Sequence, residues 1–341
     1  MTFARLIPLA LAAALLPASL WAQIAGYREG RIDAPHHART MEYALWYPAA
    51  EDSAPVPSGG NAVFLPNLVA PDAMLAEGRF ALILMSHGLG GHARALGWLA
   101  TGLARAGAVV LAVNHPNSTV FDFDMQAGLA HWTRAQDLTL ALDHLLADPA
   151  IGPAIDTARI AALGFSYGGW TALSLGGLRG NLAGYIAHCD DRPTRHCADL
   201  ARAGADLRQI DAALWDGVHA DPRIRRVVAI DPGLTYGLGP KDVTALSGPT
   251  LLIQLGTGAD RLDATDISSA GSHLTGLLPG AELLEIAHAA HFSVLPLCTP
   301  QGAMILEKEN DDPVCTDPEG AERAAIHAQV LAATRRHLGL K

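Results

Sequence analysis

Arg159-Ile-Ala-Ala-Leu-Gly-Phe-Ser-Tyr-Gly-Gly-Trp170 is the stretch that decides the fold. It reads as a short apolar strand, a turn with a serine at its apex, and the start of a helix. Gly164-Phe-Ser-Tyr-Gly168 within it is a G-x-S-x-G pentapeptide. On a sharp strand-to-helix turn, a side chain two residues either side of the serine would strike its neighbours, so glycine is used there. The serine hydroxyl then stands at a helix N-terminus, where free N–H groups and the helix dipole favour developing negative charge. The pattern predicts a nucleophile at Ser166.

Outward from this turn, the chain alternates strand and helix. Phe80-Ala-Leu-Ile-Leu-Met85, Ala108-Val-Val-Leu-Ala-Val113, Arg226-Val-Val-Ala-Ile-Asp231 and Thr250-Leu-Leu-Ile-Gln-Leu255 are continuous apolar runs. Such runs mark parallel strands covered on both faces. Thr40 to Tyr47 reads as an early strand, and Ala281 to Ile286 as a late one. Helices are predicted at Arg94 to Ala106, Thr133 to Ala147, from Trp170 on, at about Ala198 to Leu214, near Thr265 to Leu278, and at Glu319 to Leu338. Gly26 to Arg39 reads as a polar loop, and its His36 and His37 as solvated residues without a role. Asn61 to Arg79 has no clear period and is a candidate cover for one side of a site. The alternation predicts an α/β architecture: one open, mostly parallel sheet with helices on both faces. Its active site belongs at the carboxyl ends of the strands.

The chain has 341 residues, of which 50% are hydrophobic and 17% charged. That supports a sizeable core. The net charge of −10 argues against a nucleic-acid partner, because phosphate binding needs a basic face. Residues 1–22 carry Arg5, an apolar run from Leu6 to Leu16 and small residues near Ala22, which together read as a secretory signal peptide. The remainder, 23–341, is read as a single domain with a possible lid or insertion at 181–221. No other stretch is long and apolar enough to span a membrane. The expected location is periplasmic or secreted. An even cysteine count fits that location. The preferred pairing is Cys189 with Cys197 and Cys298 with Cys315, each across a polar loop.

A serine becomes a nucleophile only beside a base, the base needs a carboxylate, and the oxyanion needs two donors. In this architecture the chain order is serine, acid, histidine. His291, after the last strand, is the preferred base, and His288 competes with it. Two strand ends offer the acid. Asp260 is the first choice because it lies in the loop most members of this architecture use, and Asp231 is the second. Oxyanion donors are expected from the backbone N–H groups of Tyr167 and of Leu89, the latter in the glycine-rich Ser86-His-Gly-Leu-Gly-Gly91. No phosphate-loop motif of the type G-x-x-x-x-G-K-[ST] or G-x-G-x-x-G occurs. The cysteines lack the C-x-x-C spacing of a zinc site.

Ser86-His-Gly-Leu-Gly90, Ala112-Val-Asn-His-Pro116, Arg134-Ala-Gln-Asp-Leu138, Gly164-Phe-Ser-Tyr-Gly-Gly169 and His291-Phe-Ser293 together resemble the α/β-hydrolases similar to plasma-type platelet-activating factor acetylhydrolase. Bacterial members are often labelled predicted dienelactone hydrolases, although true dienelactone hydrolases carry cysteine where this chain has Ser166. The resemblance covers about residues 40 to 300. It implies an exported serine esterase for short acyl esters, with no metal and no cofactor. The expected partner is a small-molecule ester substrate, with no obligate protein partner. It supports Ser166, His291 and the N–H groups of Leu89 and Tyr167 in their roles. It leaves the acid open: the acetylhydrolase pattern points to Asp231, and related bacterial esterases point to Asp260. The 181–221 segment has no match in the family. Other acyl substrates (a polyester, a thioester or a peptide) and a non-catalytic binding role are the competing readings.

Overall fold

The computed structural model describes residues 24–191, 194–246 and 248–341. The expected signal peptide at 1–22 lies outside the described residues.

Twelve strands follow in chain order: β1 Ala25–Ala34, β2 Arg39–Pro48, β3 Val56–Ser58, β4 Asn67–Pro71, β5 Phe80–Ser86, β6 Ala108–Val113, β7 Ser118–Thr119, β8 Asp122–Phe123, β9 Ile155–Phe165, β10 Ile224–Ile230, β11 Thr250–Leu255 and β12 Glu282–Ile286. Ten of them form one sheet in the order β12-β11-β10-β9-β5-β6-β2-β1-β4-β3. The run from β12 to β6 is parallel throughout. β2 joins β6 antiparallel, and β1 joins β2 the same way. β7 and β8 make a separate hairpin.

The apolar runs are buried because both faces are covered. Every residue of β5, β6 and β11 is buried. Side chains alternate between faces, as a pleated strand requires. Ile83 and Met85 of β5 pack on one side with Leu99, Leu103 and the terminal helix residue Val330. Leu82 and Leu84 pack on the other with Leu138, Leu142 and Trp170. The covering helices are Gly97–Arg105 and Arg323–Leu338 on the first face, and His131–Ala147 and Tyr167–Gly176 on the second. This is the α/β-hydrolase fold.

Four segments differ from the sequence expectation. Gly26 to Arg39 is no loop: most of it is β1, with Ala25, Tyr27, Ile32 and Ala34 buried and polar residues such as Arg31 and Asp33 facing out. The helix expected over 198–214 breaks into Arg195–Arg202 and Ala212–Trp215. Asp206 and Asp211 cause the break, each accepting backbone N–H bonds that start a new turn. The helix expected near 265–278 is reduced to Leu274–Leu277, since His273 sits in the left-handed region at φ 63°. Asn61 to Arg79 contains β4, near the sheet edge farthest from β12. Its first residues brace the 297–299 loop through bonds from Leu65 N–H to the Leu297 carbonyl and from Thr299 N–H to the Val63 carbonyl.

The 181–221 segment carries helix Leu182–Asp191 and the two pieces just named. Trp215 and Leu182 bury themselves against Leu129 in a small satellite core. Disulfides join Cys189 to Cys197 and Cys298 to Cys315, with Cα separations of 5.6 and 5.9 Å.

Candidate active site

Ser166 sits between β9 and helix Tyr167–Gly176, at φ 57° and ψ −120°. A residue with a side chain rarely adopts that conformation, so the surroundings must hold it. They do so through the Ser166 N–H, which donates to the Ile230 carbonyl of the neighbouring strand at 2.9 Å. A Cβ on Gly164 would lie 1.9 Å from the Gly168 carbonyl oxygen, and one on Gly168 would lie 2.0 Å from the Ser86 carbonyl oxygen. Both positions of the pentapeptide therefore exclude every side chain. The hydroxyl is left half-buried at the carboxyl end of the sheet.

His291 reaches this hydroxyl. Its Nε2 is 3.0 Å from Ser166 Oγ, and its Nδ1 is 2.6 Å from Asp231 Oδ2. With Nδ1–H donating to the carboxylate, Nε2 is free to accept the serine proton. Asp231 is fully buried, immediately after β10. The Leu255 N–H donates to its Oδ1 at 2.9 Å, and the Thr265 hydroxyl to its Oδ2 at 2.7 Å.

Among the described residues it is Asp231, not the sequence's first choice Asp260, whose carboxylate meets His291. Asp260 lies on an exposed turn beyond β11, one strand farther from Ser166. Asp231 follows the strand that pairs directly with the serine strand. The loop after β11 plays another part: its Thr265 folds back to hold the Asp231 carboxylate. His288, the competing base, is exposed. His291 opens a short 3-10 turn, closed by a bond from Ala290 N–H to Ser293 Oγ. Ser293 donates to Asp317, which is gripped by Arg323. Arg323 also donates to the carbonyls of Pro296 and Val314, beside Cys298 and Cys315. The second disulfide thus closes the segment that supports the histidine.

The Ser86–Gly91 turn lies on the other side of Ser166. Among the described residues, neither the Leu89 N–H nor the Tyr167 N–H has a hydrogen-bond partner. The turn is fixed from behind. Gly90 N–H donates to the Ser118 carbonyl, and Gly91 N–H to the Gly88 carbonyl. His87 Nδ1 donates to the Gly88 carbonyl, and its Nε2 accepts the His115 N–H. Burial holds the His87 imidazole far below its ordinary pKa, so it stays neutral.

Arg134 ties these parts together. It is 1% exposed, and its guanidinium lies 4.4 Å from the Tyr167 ring centre. It donates to the Thr171 hydroxyl, the Ser118 hydroxyl, the Ser86 hydroxyl and the His87 carbonyl. One side chain therefore touches the turn bearing Leu89 and the residue Tyr167. Burial lowers its pKa to about 10, which leaves it charged at neutral pH.

Asp137 is the buried carboxylate near Arg134. Its Oδ2 accepts from His115 Nδ1 at 2.8 Å, and its Oδ1 from His36 and His37 Nε2 at 2.7 and 2.9 Å. Burial alone would raise its pKa, but these three hydrogen bonds outweigh burial and hold it ionised. His36 and His37 are thus not the role-free solvated residues the sequence suggests. His115 Nε2 in turn accepts from Ser86 Oγ at 2.9 Å. Burial lowers the His115 pKa to about 4. The sequence held one signal of this network. Arg134, Asp137, Leu138, Ala141 and Leu142 share one helical face, and charged residues are almost never fully buried unless paired.

No protein-family model matches the chain. Over 117 residues it is 32% identical to Lipase 1 of Moraxella sp. (strain TA144), an overlap of 34% of this chain and 32% of that lipase. The match thus spans about a third of the length of the curated relative. The structure resembles a ferulic acid esterase from Streptomyces cinnamoneus at a TM-score of 0.62 and 17% identity. That superposition covers 95% of this chain and 91% of the esterase, and at such identity it speaks for the fold.

Proposed function

We propose that this protein is an exported serine hydrolase of carboxylic esters that works through an acyl-enzyme, with short-chain acyl esters of a small molecule as substrates. The carrying observation is the pair of distances at His291: 3.0 Å to Ser166 Oγ and 2.6 Å to Asp231. The esterase fold, the partial identity to a lipase and the sequence resemblance to the acetylhydrolase-like enzymes support the same reading. Two disulfides are compatible with an oxidising compartment.

In this mechanism Ser166 Oγ attacks the ester carbonyl carbon while His291 Nε2 takes the hydroxyl proton. Asp231 keeps the imidazole in its Nδ1–H tautomer and stabilises the imidazolium. The carbonyl oxygen becomes an oxyanion that accepts the Leu89 and Tyr167 N–H groups, at the N-terminus of the helix that follows the serine. A donor of this kind is worth about 3 kcal/mol of barrier. The C–O bond to the alcohol then breaks, and His291 returns the proton to the leaving oxygen. Water repeats the sequence on the acyl-enzyme, with His291 as base, and releases the acid.

Nitrophenyl esters from acetyl to palmitoyl test this directly. Fast turnover of the short chains, with a single fluorophosphonate label on Ser166, is the expected result. Turnover that persists when Ser166 is fully labelled would remove the reading. A maximum at long chains would keep the chemistry and move the substrate toward lipids.

A further inference from the structure

We propose that His36, His37 and Asp137 form a site for one divalent transition-metal ion of the zinc type. The site lies where the turn between β1 and β2 meets helix His131–Ala147. It is independent of the hydrolase reading.

Two imidazole Nε2 atoms converge on one carboxylate oxygen, at 2.7 and 2.9 Å, and the three ligand atoms all lie within 4.8 Å of one another. Consecutive residues of a strand point to opposite faces, so such convergence needs a special backbone. Here a one-turn 3-10 helix, Pro35–His37, supplies it, and Ala38 at φ 53° closes it. The two rings lie 4.3 Å apart and 45° from coplanar.

Two imidazoles and one carboxylate are a ligand set for zinc and its divalent neighbours. Ligating carboxylates are themselves held by outer hydrogen bonds. Asp137 already has that hold, since His115 Nδ1 occupies its other oxygen. The Asp137 side chain is fully buried, whereas the His36 side chain is 23% exposed, so solvent has a way in and a water can complete the coordination. Zinc with ligands at about 2.0–2.1 Å would separate them slightly more than these hydrogen bonds do. The two imidazoles then have to back away from the Asp137 oxygen by roughly half an ångström. Each imidazole would shift its proton to Nδ1 and offer Nε2 to the ion.

The molecule contains a contrasting cluster at His188, His196 and Cys197. There the sulfur is tied up in the disulfide with Cys189, so it offers no thiolate. An ion at Asp137 would join the β1–β2 turn to the network that runs through His115, Ser86 and Arg134. Its expected effect is on stability.

The test uses untagged protein stripped with a chelator, then titrated with zinc by calorimetry and with cobalt by visible absorption. Expected are one equivalent of zinc, a cobalt spectrum of low-coordinate nitrogen and oxygen ligation, and a rise in Tm of about 5 °C at saturation. The His36→Ala/His37→Ala double variant should keep its far-UV circular dichroism and lose the equivalent, the cobalt bands and the Tm rise. A His188→Ala/His196→Ala variant should keep all three. The proposal is overturned if the wild type takes up no stoichiometric zinc. Equal uptake by a folded double variant overturns it too, since the ion then sits on other histidines.

Discussion

The chain builds two serine–histidine–aspartate arrangements with nearly equal spacings and surrounds them differently. In Ser166–His291–Asp231 the two hydrogen bonds are 3.0 and 2.6 Å. In Ser86–His115–Asp137 they are 2.9 and 2.8 Å. Distances alone would not separate them. Ser166 stands on a strained turn and is half-buried, beside two N–H groups that have no partner among the described residues. Ser86 ends strand β5, is fully buried, and also accepts a bond from Arg134. His115 has its pKa lowered to about 4, and its carboxylate is shared with His36 and His37. A triad acts on a substrate only if its serine can be reached and the negative charge it creates has donors waiting. The second arrangement lacks access and works as a brace for the turn that carries Leu89.

The largest separation between the two should come from the serines. Ser166→Ala should lower ester hydrolysis by about a millionfold in kcat. Comparable loss in Ser86→Ala, with folding intact, would break the contrast. Next are the carboxylates. Asp231→Asn should lower kcat by about 10⁴-fold through the wrong imidazole tautomer, while Asp260→Asn should stay within about twofold. A large loss in Asp260→Asn would return the acid to the loop after β11.

Arg134 sharpens the boundary between brace and site. Arg134→Lys keeps the charge but not the fork of donors. Its kcat should fall by roughly 10- to 100-fold with KM nearly unchanged if, as proposed, the Leu89 and Tyr167 N–H groups are the oxyanion donors and lose their alignment. The pH profile of kcat/KM should not move, since His291 is untouched. A shifted profile would mean that Arg134 acts on the base instead.

The smallest effect is in stability against pH. The folded His115 pKa, about 4, lies below the ordinary histidine value of about 6.5. Between those values the unfolded chain binds the proton and the folded chain does not, so stability falls as pH drops through that window. The scale is roughly 1.4 kcal/mol for each pH unit crossed. Tm measured from pH 7 to pH 4 should decline, and His115→Gln should decline less steeply. Parallel slopes would remove His115 as the source. Ser86→Ala belongs to the same class, with about 1 kcal/mol lost for its hydrogen bonds and activity within about tenfold of wild type.

Local features were legible in the sequence where a short stretch carried its own physics. The elbow at Gly164–Gly168 needs only the sterics of one turn. The runs of β5, β6 and β11 need only their hydropathy. Cys189 with Cys197 and Cys298 with Cys315 needed only proximity in the chain. β1 was missed because its exposed face carries charges such as Arg31 and Asp33, which make a half-buried strand read as a loop.

What the sequence determined by itself was therefore the strand–turn–helix of Ser166, the alternation that demands a covered parallel sheet, and a short set of polar residues at strand ends. Tertiary structure decided which of them meet. Asp231 and Asp260 follow neighbouring strands and look alike in the sequence. Sheet order separates them, because β10, not β11, lies against the serine strand and receives its N–H. His36 and His37 face Asp137 a hundred residues away in the chain, and Arg134 reaches Ser86, Ser118 and Thr171 from three other elements. Such contacts depend on how layers stack, and chain-local propensity carries no information about stacking.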